Sequence, residues 1–296
     1  RTTGWWASML AAAAIANASH TDRRSLDWLP CKQAGRCGAN ANFYPDNAKL
    51  RIAGYVLMDL THEKARFDRT PFGEGSVLQL ISPGTHVSFR TDAHRVQVIL
   101  EYRGKTGCTA TCPLVASGGC YEPKPCPNQC EVLLEVDGAP VAAKYTNLQD
   151  LPLTLDDPRA DFLGEVKLWA IEQETAAQRT VTVHMPWGAP VDLKRVHLET
   201  LPGIEVAPQL SELPPASPVT YVALGDSITA GWCVTGSPGY PRQLAELHGW
   251  EHTNVGVAQA GVAPAYGGAV GRLHADLVTI MLGAHEWESC AQDLTE

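Results

Sequence analysis

The residues with the clearest capacity for chemistry surround Ser227, in the run Gly-Asp-Ser-Ile-Thr at 225–229. A serine hydroxyl becomes a useful nucleophile only when a base takes its proton, so Ser227 would need a histidine within reach. Taken alone, Gly-Asp-Ser predicts a turn or a helix N-cap, because these residue types favour such positions. The apolar run Val219–Leu224 favours the chemical interpretation, since a buried strand there would present Ser227 at a strand-to-helix corner, with Gly225 allowing a tight turn.

The elements that follow Ser227 predict an α/β arrangement. A helix is predicted at Tyr240–His248, with Pro241 in its first turn, and a short helix at Ala269–Ala275. Strands are predicted at His252–Val257 and Asp276–Gly283. Alternation of strands and helices is typical of a parallel, doubly wound sheet, in which the loops after the strands meet at one edge.

The residues between about 51 and 205 show a different, β-rich pattern. Apolar residues alternate with others from Val96 to Tyr102 and from Val132 to Val136, and Asp137-Gly138 is a strong turn signal. Further strands are predicted at Val77–Ile81, His86–Arg90, Val166–Ala170, Thr180–His184 and Asp192–Leu201. Many short strands separated by turns predict an antiparallel, jelly-roll-like sandwich.

We therefore predict a two-domain fold, in which an N-terminal jelly-roll-like β-sandwich is followed by a partial α/β doubly wound domain. The sandwich would span 51–205 and the α/β domain 219–296, joined by a Pro-rich linker at 206–218. Residues 19–50 are predicted as an irregular Cys-containing region, and 107–130 as a Cys-rich insert between two strands.

The N-terminus and the cysteines predict a secreted protein. Residues 1–18 read as a signal peptide, with an apolar stretch from Trp5 to Ile15 before small residues, although an alanine-rich packed helix is an alternative. Nine cysteines predict disulfides in an oxidising compartment. A zinc site is the rival interpretation for the cysteines of the insert, but their spacing lacks the paired pattern and no histidine lies among them. No metal is predicted.

The net negative charge of the chain argues against anionic binding partners. The formal net charge of −9 gives the chain no electrostatic reason to bind nucleic acid or an anionic membrane. A small-molecule or carbohydrate substrate is the expected partner.

Three blocks of this sequence resemble SGNH (GDSL) hydrolases. They lie at 224–229 (Leu-Gly-Asp-Ser-Ile-Thr), 254–259 (Asn-Val-Gly-Val-Ala-Gln) and 281–286 (Met-Leu-Gly-Ala-His-Glu). The β-rich region is also similar, at 88–93 and at Asp137-Gly138, to the N-terminal sandwich of some carbohydrate esterases in that superfamily. The resemblance implies hydrolysis of an acyl ester, with acetyl esters of carbohydrates among the substrates, through an acyl-enzyme on Ser227 and without a cofactor.

The resemblance also implies roles for individual residues. Ser227 would be nucleophile and first oxyanion donor. Gln259 stands where a second-block glycine would donate its N–H, and Gly256 or Gly261 are alternatives if the loop is shifted. His285 stands where a third-block asparagine would complete the oxyanion hole, and an imidazole N–H can also donate.

One departure from the family concerns the catalytic base. The fourth element, Asp-x-x-His, does not follow the third block before Glu296. The chain is then either a fragment of an esterase or a non-catalytic relative whose sandwich binds glycan. A Ser227–His285 dyad, oriented by Glu286 or Glu288, is a third interpretation. His248 and His252 are predicted as surface residues.

Overall fold

The computed structural model describes residues 38–68, 83–103, 132–141, 144–145, 163–172, 176–186, 191–231, 239–257 and 270–283. Several predictions fall outside the described residues: the leader at 1–18, the strand at Val77–Ile81, the insert at 107–130, every cysteine, and the site residues Gln259, Gly261 and His285. The described chain is mostly β, with two antiparallel sheets and one parallel sheet.

The elements follow one another along the chain as sixteen described strands and two described helices. They are β1 Asn40–Phe43, β2 Arg51–Ala53, β3 Leu57–Leu60, β4 Ala65–Asp68, β5 His86–Thr91, β6 Arg95–Arg103, β7 Leu133–Val136, β8 Ala139–Val141, β9 Lys144–Tyr145, β10 Leu163–Glu172, β11 Arg179–His184, β12 Val191–Glu199, β13 Leu210–Ser211, β14 Thr220–Gly225, α1 Ser227–Ala230, α2 Tyr240–His248, β15 Glu251–Gly256 and β16 Leu277–Met281.

The strands form three sheets. Sheet I has the order β3-β4-β12-β6-β10-β9, with β1 also paired to β12. Sheet II has the order β13-β5-β11-β7-β8, with β2 also paired to β5. Both are antiparallel, whereas sheet III is parallel, in the order β15-β14-β16.

Sheets I and II share one apolar core. The alternating strand residues place Val87 and Phe89 of β5 in the core beside Val98 and Leu100 of β6, all fully buried. A two-residue turn joins β7 to β8, and both of its residues, Asp137 and Gly138, have positive φ, as the type I′ hairpin turn requires. The strands predicted here are confirmed, and burial alternates along β5 and β11. In β6 it does not alternate from Val96 to Leu100, because Gln97 and Ile99 are buried on the other face.

Two short strands lie where the sequence predicted irregular structure. β1 lies within 19–50 and pairs with β12, and β13 lies within the predicted linker at 206–218 and pairs with β5. Neither strand has an apolar alternation strong enough to be seen locally. Each forms because an existing strand offers it a row of backbone partners, so tertiary context overrides local sequence.

Sheet III confirms the parallel strands predicted after residue 219, and α2 has the predicted bounds. The short helix predicted at Ala269–Ala275 is wrong in its described part, because only Val270 is helical and residues 271–273 form a turn. Jelly-roll topology and the division into two domains stay predictions. In the described part of the chain, no helix is both long and apolar enough to cross a membrane.

Candidate active site at the end of the parallel sheet

Ser227 lies where the order of sheet III reverses. The chain leaves the central strand β14, continues to β15 on one side, and then crosses to β16 on the other. In open α/β sheets, ligands bind beyond the carboxyl ends of the strands at such a reversal point, because the loops there separate and leave a crevice. Gly225 ends β14, and Ser227 is the first residue of α1.

The local structure around Ser227 is a single helical turn closed at both ends. The carboxylate of Asp226, which is almost fully buried, accepts the N–H of Ile228 at 2.9 Å and caps the turn. Gly231 adopts a left-handed conformation (φ 90°) and its N–H donates to the carbonyls of Ser227 and Ile228. Ser227 is half-buried and Ile228 is 58% exposed, so the corner faces the surface.

Two glycines allow α1 to lie directly over the strand ends. A Cβ on Gly225 would come within 1.9 Å of Thr229 Oγ1 and 2.7 Å of the Met281 carbonyl. A Cβ on Gly256 would come within 2.2 Å of the Ala230 nitrogen. The sequence interpretation gave Gly225 the role of a turn residue. Its φ is not in the left-handed region, so space rather than backbone conformation requires glycine there.

Asn254 holds α1 in this position. It is buried, its Nδ2 donates to the Thr229 carbonyl at 2.7 Å, and its Oδ1 accepts the N–H of Gly256 at 2.8 Å. From the other side, the hydroxyls of Thr229 and Tyr240 form a 3.0 Å hydrogen bond. The sequence analysis gave none of these three residues a function. Only the buried polar type of Asn254 at a strand end could have signalled it.

The second and third blocks that resemble the family, at 254–259 and 281–286, begin beside the end of β14. The Val257 N–H donates to the Gly225 carbonyl at 2.9 Å, and the Asp226 N–H donates to the Met281 carbonyl at 3.2 Å. The N–H of Gly256 already has Asn254 as its acceptor, so a role for Gly256 as oxyanion donor would require that bond to break. The roles given to Ser227, Gln259, Gly261 and His285 stay predictions.

The histidine prediction is wrong for His252. It was expected at the surface, but it lies on β15 with only 6% of its surface exposed. His248 is exposed and stacks on Trp250, with ring centroids 4.4 Å apart. Among the described residues, no histidine hydrogen-bonds Ser227, and no group of three or more His, Cys, Asp or Glu side chains is arranged to hold a metal ion.

Comparison with known proteins agrees with this geometry. Residues 223–293 match the GDSL-like lipase/acylhydrolase family. No curated protein sequence matches the chain.

Solved structures show the same fold at low sequence identity. The salicylyl-acyltransferase SsfX3 from a tetracycline biosynthetic pathway has a TM-score of 0.60 and 19% identity, over 84% of this chain and 64% of its own length. A family two carbohydrate esterase from Cellvibrio japonicus has a TM-score of 0.52 and 12% identity, over 85% of this chain and 69% of that one.

A third neighbour is the acetyl xylan esterase Est2A from the rumen bacterium Butyrivibrio proteoclasticus, with a TM-score of 0.51 and 12% identity, over 83% of this chain and 65% of that one. The chain thus spans slightly less than two thirds of the length of the acyltransferase. The resemblance to SGNH/GDSL hydrolases is confirmed: residues 223–293 carry the GDSL-like acylhydrolase sequence pattern, on a fold shared with carbohydrate esterases.

Proposed function

We propose that this chain is part of a serine esterase that forms an acyl-enzyme on Ser227. The observation that carries the proposal is the position of Ser227, which begins α1 two residues after the end of the central strand of sheet III, at the point where strand order reverses. Two glycines and the Asn254 carboxamide hold this turn against the sheet, which is the rigid support that a reacting side chain needs.

The proposed reaction is acyl transfer in two steps. Ser227 Oγ attacks the acyl carbonyl and its proton passes to a base, which then protonates the departing alcohol. Water attacks the acyl-enzyme and releases the acid. The negative charge of each tetrahedral intermediate would be held by the Ser227 N–H, with the Gln259 N–H and the His285 imidazole proposed as further donors. His285 is also the residue that we propose to test as the base.

We propose a small acyl ester, with a carbohydrate acetate as the first to test. The support is the fold shared with an acetyl xylan esterase and a family two carbohydrate esterase. One neighbour of similar fold is an acyltransferase, and an acyl-enzyme can also be attacked by an alcohol in place of water. Secretion with disulfide-bonded cysteines completes the proposal. A non-catalytic, glycan-binding module is the alternative.

Labelling with a fluorophosphonate probe tests the nucleophile directly. We expect wild type to be labelled on Ser227 and to hydrolyse p-nitrophenyl acetate, and Ser227→Ala to lose the label and at least about 100-fold in rate. Ser217→Ala, in the segment before β14, is the matched control and should behave as wild type. Equal hydrolysis by wild type and Ser227→Ala would exclude the acyl-enzyme, and a folded wild type without label would favour the binding module.

His285→Asn separates the two roles proposed for His285. If the imidazole is an oxyanion donor, the asparagine amide replaces it and the rate stays within about tenfold. If it is the base, asparagine cannot take the proton and the rate falls by about 10²–10⁴-fold.

A further inference from the structure

Three histidines meet where sheet II contacts sheet III. His86 of β5 and His184 of β11 are opposite each other in the strand register, with ring centroids 5.4 Å apart. His252 of β15 stacks on His86 from the other side, at 6.1 Å and an interplanar angle of 18°. We call the following residues the interface cluster: His86, Glu135, His184, Arg242, Glu251 and His252.

One cation and one carboxylate organise half of the interface cluster. Arg242 of α2, with 9% of its side chain exposed, contacts Glu135 of β7 and donates to Glu246 at 2.5 Å. His184 Nε2 donates to the same Glu135 at 3.2 Å. Burial alone raises the pKa of Glu135, but the bond from His184 and the charge of Arg242 outweigh it and lower that pKa. Glu135 is therefore held as a carboxylate.

The other half of the interface cluster, His86, Glu251 and His252, leaves several polar atoms without good hydrogen bonds. His86 Nδ1 donates to the Gly84 carbonyl at 3.0 Å, which leaves its Nε2 facing Glu251 Oε1 at 3.8 Å. Within the described chain, His252 Nε2 and Glu251 Oε1 are buried without a hydrogen-bond partner. A buried polar atom without a partner costs free energy. The net free energy that stabilises this contact is therefore small.

The environment of these imidazoles opposes their protonation. Burial is the main cause that lowers the pKa of His184 to about 4, with the hydrogen bond to Glu135 acting against it and the charge of Arg242 acting with it. Burial, together with the neighbouring imidazoles and Arg242, lowers the pKa of His252 to about 3. Burial also lowers the pKa of His86, although the Gly84 carbonyl and Glu251 act in the opposite direction. Glu251 faces His86, and Glu135 accepts the hydrogen bond from His184. His252 Nε2, by contrast, has no hydrogen-bond partner within the described chain, and the charge of Arg242 opposes a proton on that ring.

We propose that the interface cluster is an acid-sensitive contact, in which protonation of the buried histidines releases β15 and α2 from sheet II.

The sign of the effect follows from linkage. When the contact opens, each imidazole regains an ordinary pKa near 6.5 and binds a proton that the closed state excludes. The contact is therefore fully stable above about pH 6.5 and weakens as the pH falls toward the lower values of the closed state. Each such histidine raises the opening equilibrium constant by about tenfold per pH unit in that window.

Opening would reach the candidate nucleophile through β15. His252, Asn254 and Gly256 lie on the same face of that strand, since side chains alternate. Gly84 of the sheet II side touches two of them: a Cβ there would lie 3.0 Å from Asn254 Cβ and 3.3 Å from His252 Nε2. This coupling to Ser227 rests on the proposed function, whereas the acid sensitivity itself does not.

Hydrogen exchange of the full chain, measured by mass spectrometry at pH 6.5 and 5.0 and corrected for intrinsic rates, tests the proposal without any activity assay. We expect the opening constant reported by residues 251–256 to rise by at least about 200-fold in wild type, because His184 and His252 each contribute about 15-fold over this interval, while β6 and β12 stay protected. His252→Phe, a neutral ring of similar size, should reduce that rise by about 15-fold. His248→Phe, at the exposed end of α2, is the matched control and should respond as wild type.

Two results would overturn the proposal. One is a wild type in which residues 251–256 are as protected at pH 5.0 as at pH 6.5. The other is a His252→Phe variant that opens with acid as wild type does. If His252→Phe does not fold, His184→Gln decides instead, because its amide still donates to Glu135 but cannot take a proton. It should reduce the rise by a similar factor, and an unchanged rise would count against the proposal.

Discussion

The two faces of sheet II make contacts of opposite chemical kinds. Its inner face gives Val87, Phe89 and Val183 to the large apolar cluster between sheets I and II. Its outer face, one residue away along the same strands, gives His86 and His184 to a contact made of imidazoles, carboxylates and one guanidinium. The strength of the first contact comes from apolar area and does not depend on pH. The strength of the outer contact depends on whether its histidines are protonated. Alternate residues of one strand therefore form one contact that is independent of pH and one that changes with pH.

The largest effect expected is on the inner face. Phe89→Ala removes a fully buried ring and should lower the free energy of unfolding by about 4 kcal/mol. Urea unfolding at pH 7.5 and at pH 5.5 should give the same loss, since the ring lies in the apolar cluster between sheets I and II. A loss that differs by more than about 1 kcal/mol between the two pH values would break the contrast between the faces.

Arg242→Met should have the next largest effect, on the outer face. It leaves the Glu135 carboxylate half-buried without its cation and should cost about 3 kcal/mol at pH 7.5. The cost should shrink at pH 5.5, because the charge that opposes histidine protonation is gone. Arg179→Met is the matched control: its ion pair with Asp137 is exposed, and its loss should cost less than about 1 kcal/mol at either pH.

Asn254→Ala tests whether β15, which carries His252 of the interface cluster, also positions α1 and Ser227. The Gly256 N–H and the Thr229 carbonyl would lose a buried partner, at a cost of about 2 kcal/mol in unfolding free energy. Fluorophosphonate labelling of Ser227 should slow as α1 loosens. Asn254→Asp keeps the shape of the side chain but places an acceptor opposite the Thr229 carbonyl. Ser227 should therefore be labelled no faster in this variant than in Asn254→Ala. Labelling at the wild-type rate in both variants would show that Asn254 does not position Ser227.

The smallest effect is expected at the other edge of sheet III. Ile280 of β16 is 69% exposed, and Ile280→Thr should change the free energy of unfolding by less than about 0.5 kcal/mol. Val255→Thr makes a similar change on buried β15 and should cost about 2 kcal/mol, because a hydroxyl enters an apolar cluster. A comparable loss from Ile280→Thr would mean that β16 is covered in solution.

Much of the fold could be predicted because the buried positions of the core strands carry apolar residues in a pattern that the sequence shows. Burial alternates from Thr180 to His184, and the sequence alternates with it. Tyr221 to Leu224 is continuously apolar because both faces of that strand are covered. β1 and β13 could not be predicted, since their stabilising partners are backbone groups of β12 and β5, which leave no mark on the shorter strand's own residues.

The parts of the candidate site that depend on local sequence could also be predicted, and the parts that depend on distant residues could not. The corner at Ser227 follows from a buried strand and a capping aspartate, both local signals. His252 was misjudged because the feature that buries it, the pair His86 and His184, comes from distant parts of the chain. The need for Gly225 was seen, but its reason was not, because the crowding atoms belong to Thr229 and Met281.

The pairing of β15 with β14 also constrains the length of this segment. Asn254 lies opposite Ala223 and Gly256 opposite Gly225, so side chains on this face meet α1 at fixed places. Removing or inserting one residue within 251–256 would exchange the two faces and put a valine or threonine under α1, where only a hydrogen atom fits. The number of residues in this strand is therefore as constrained as the buried side chains on its two faces.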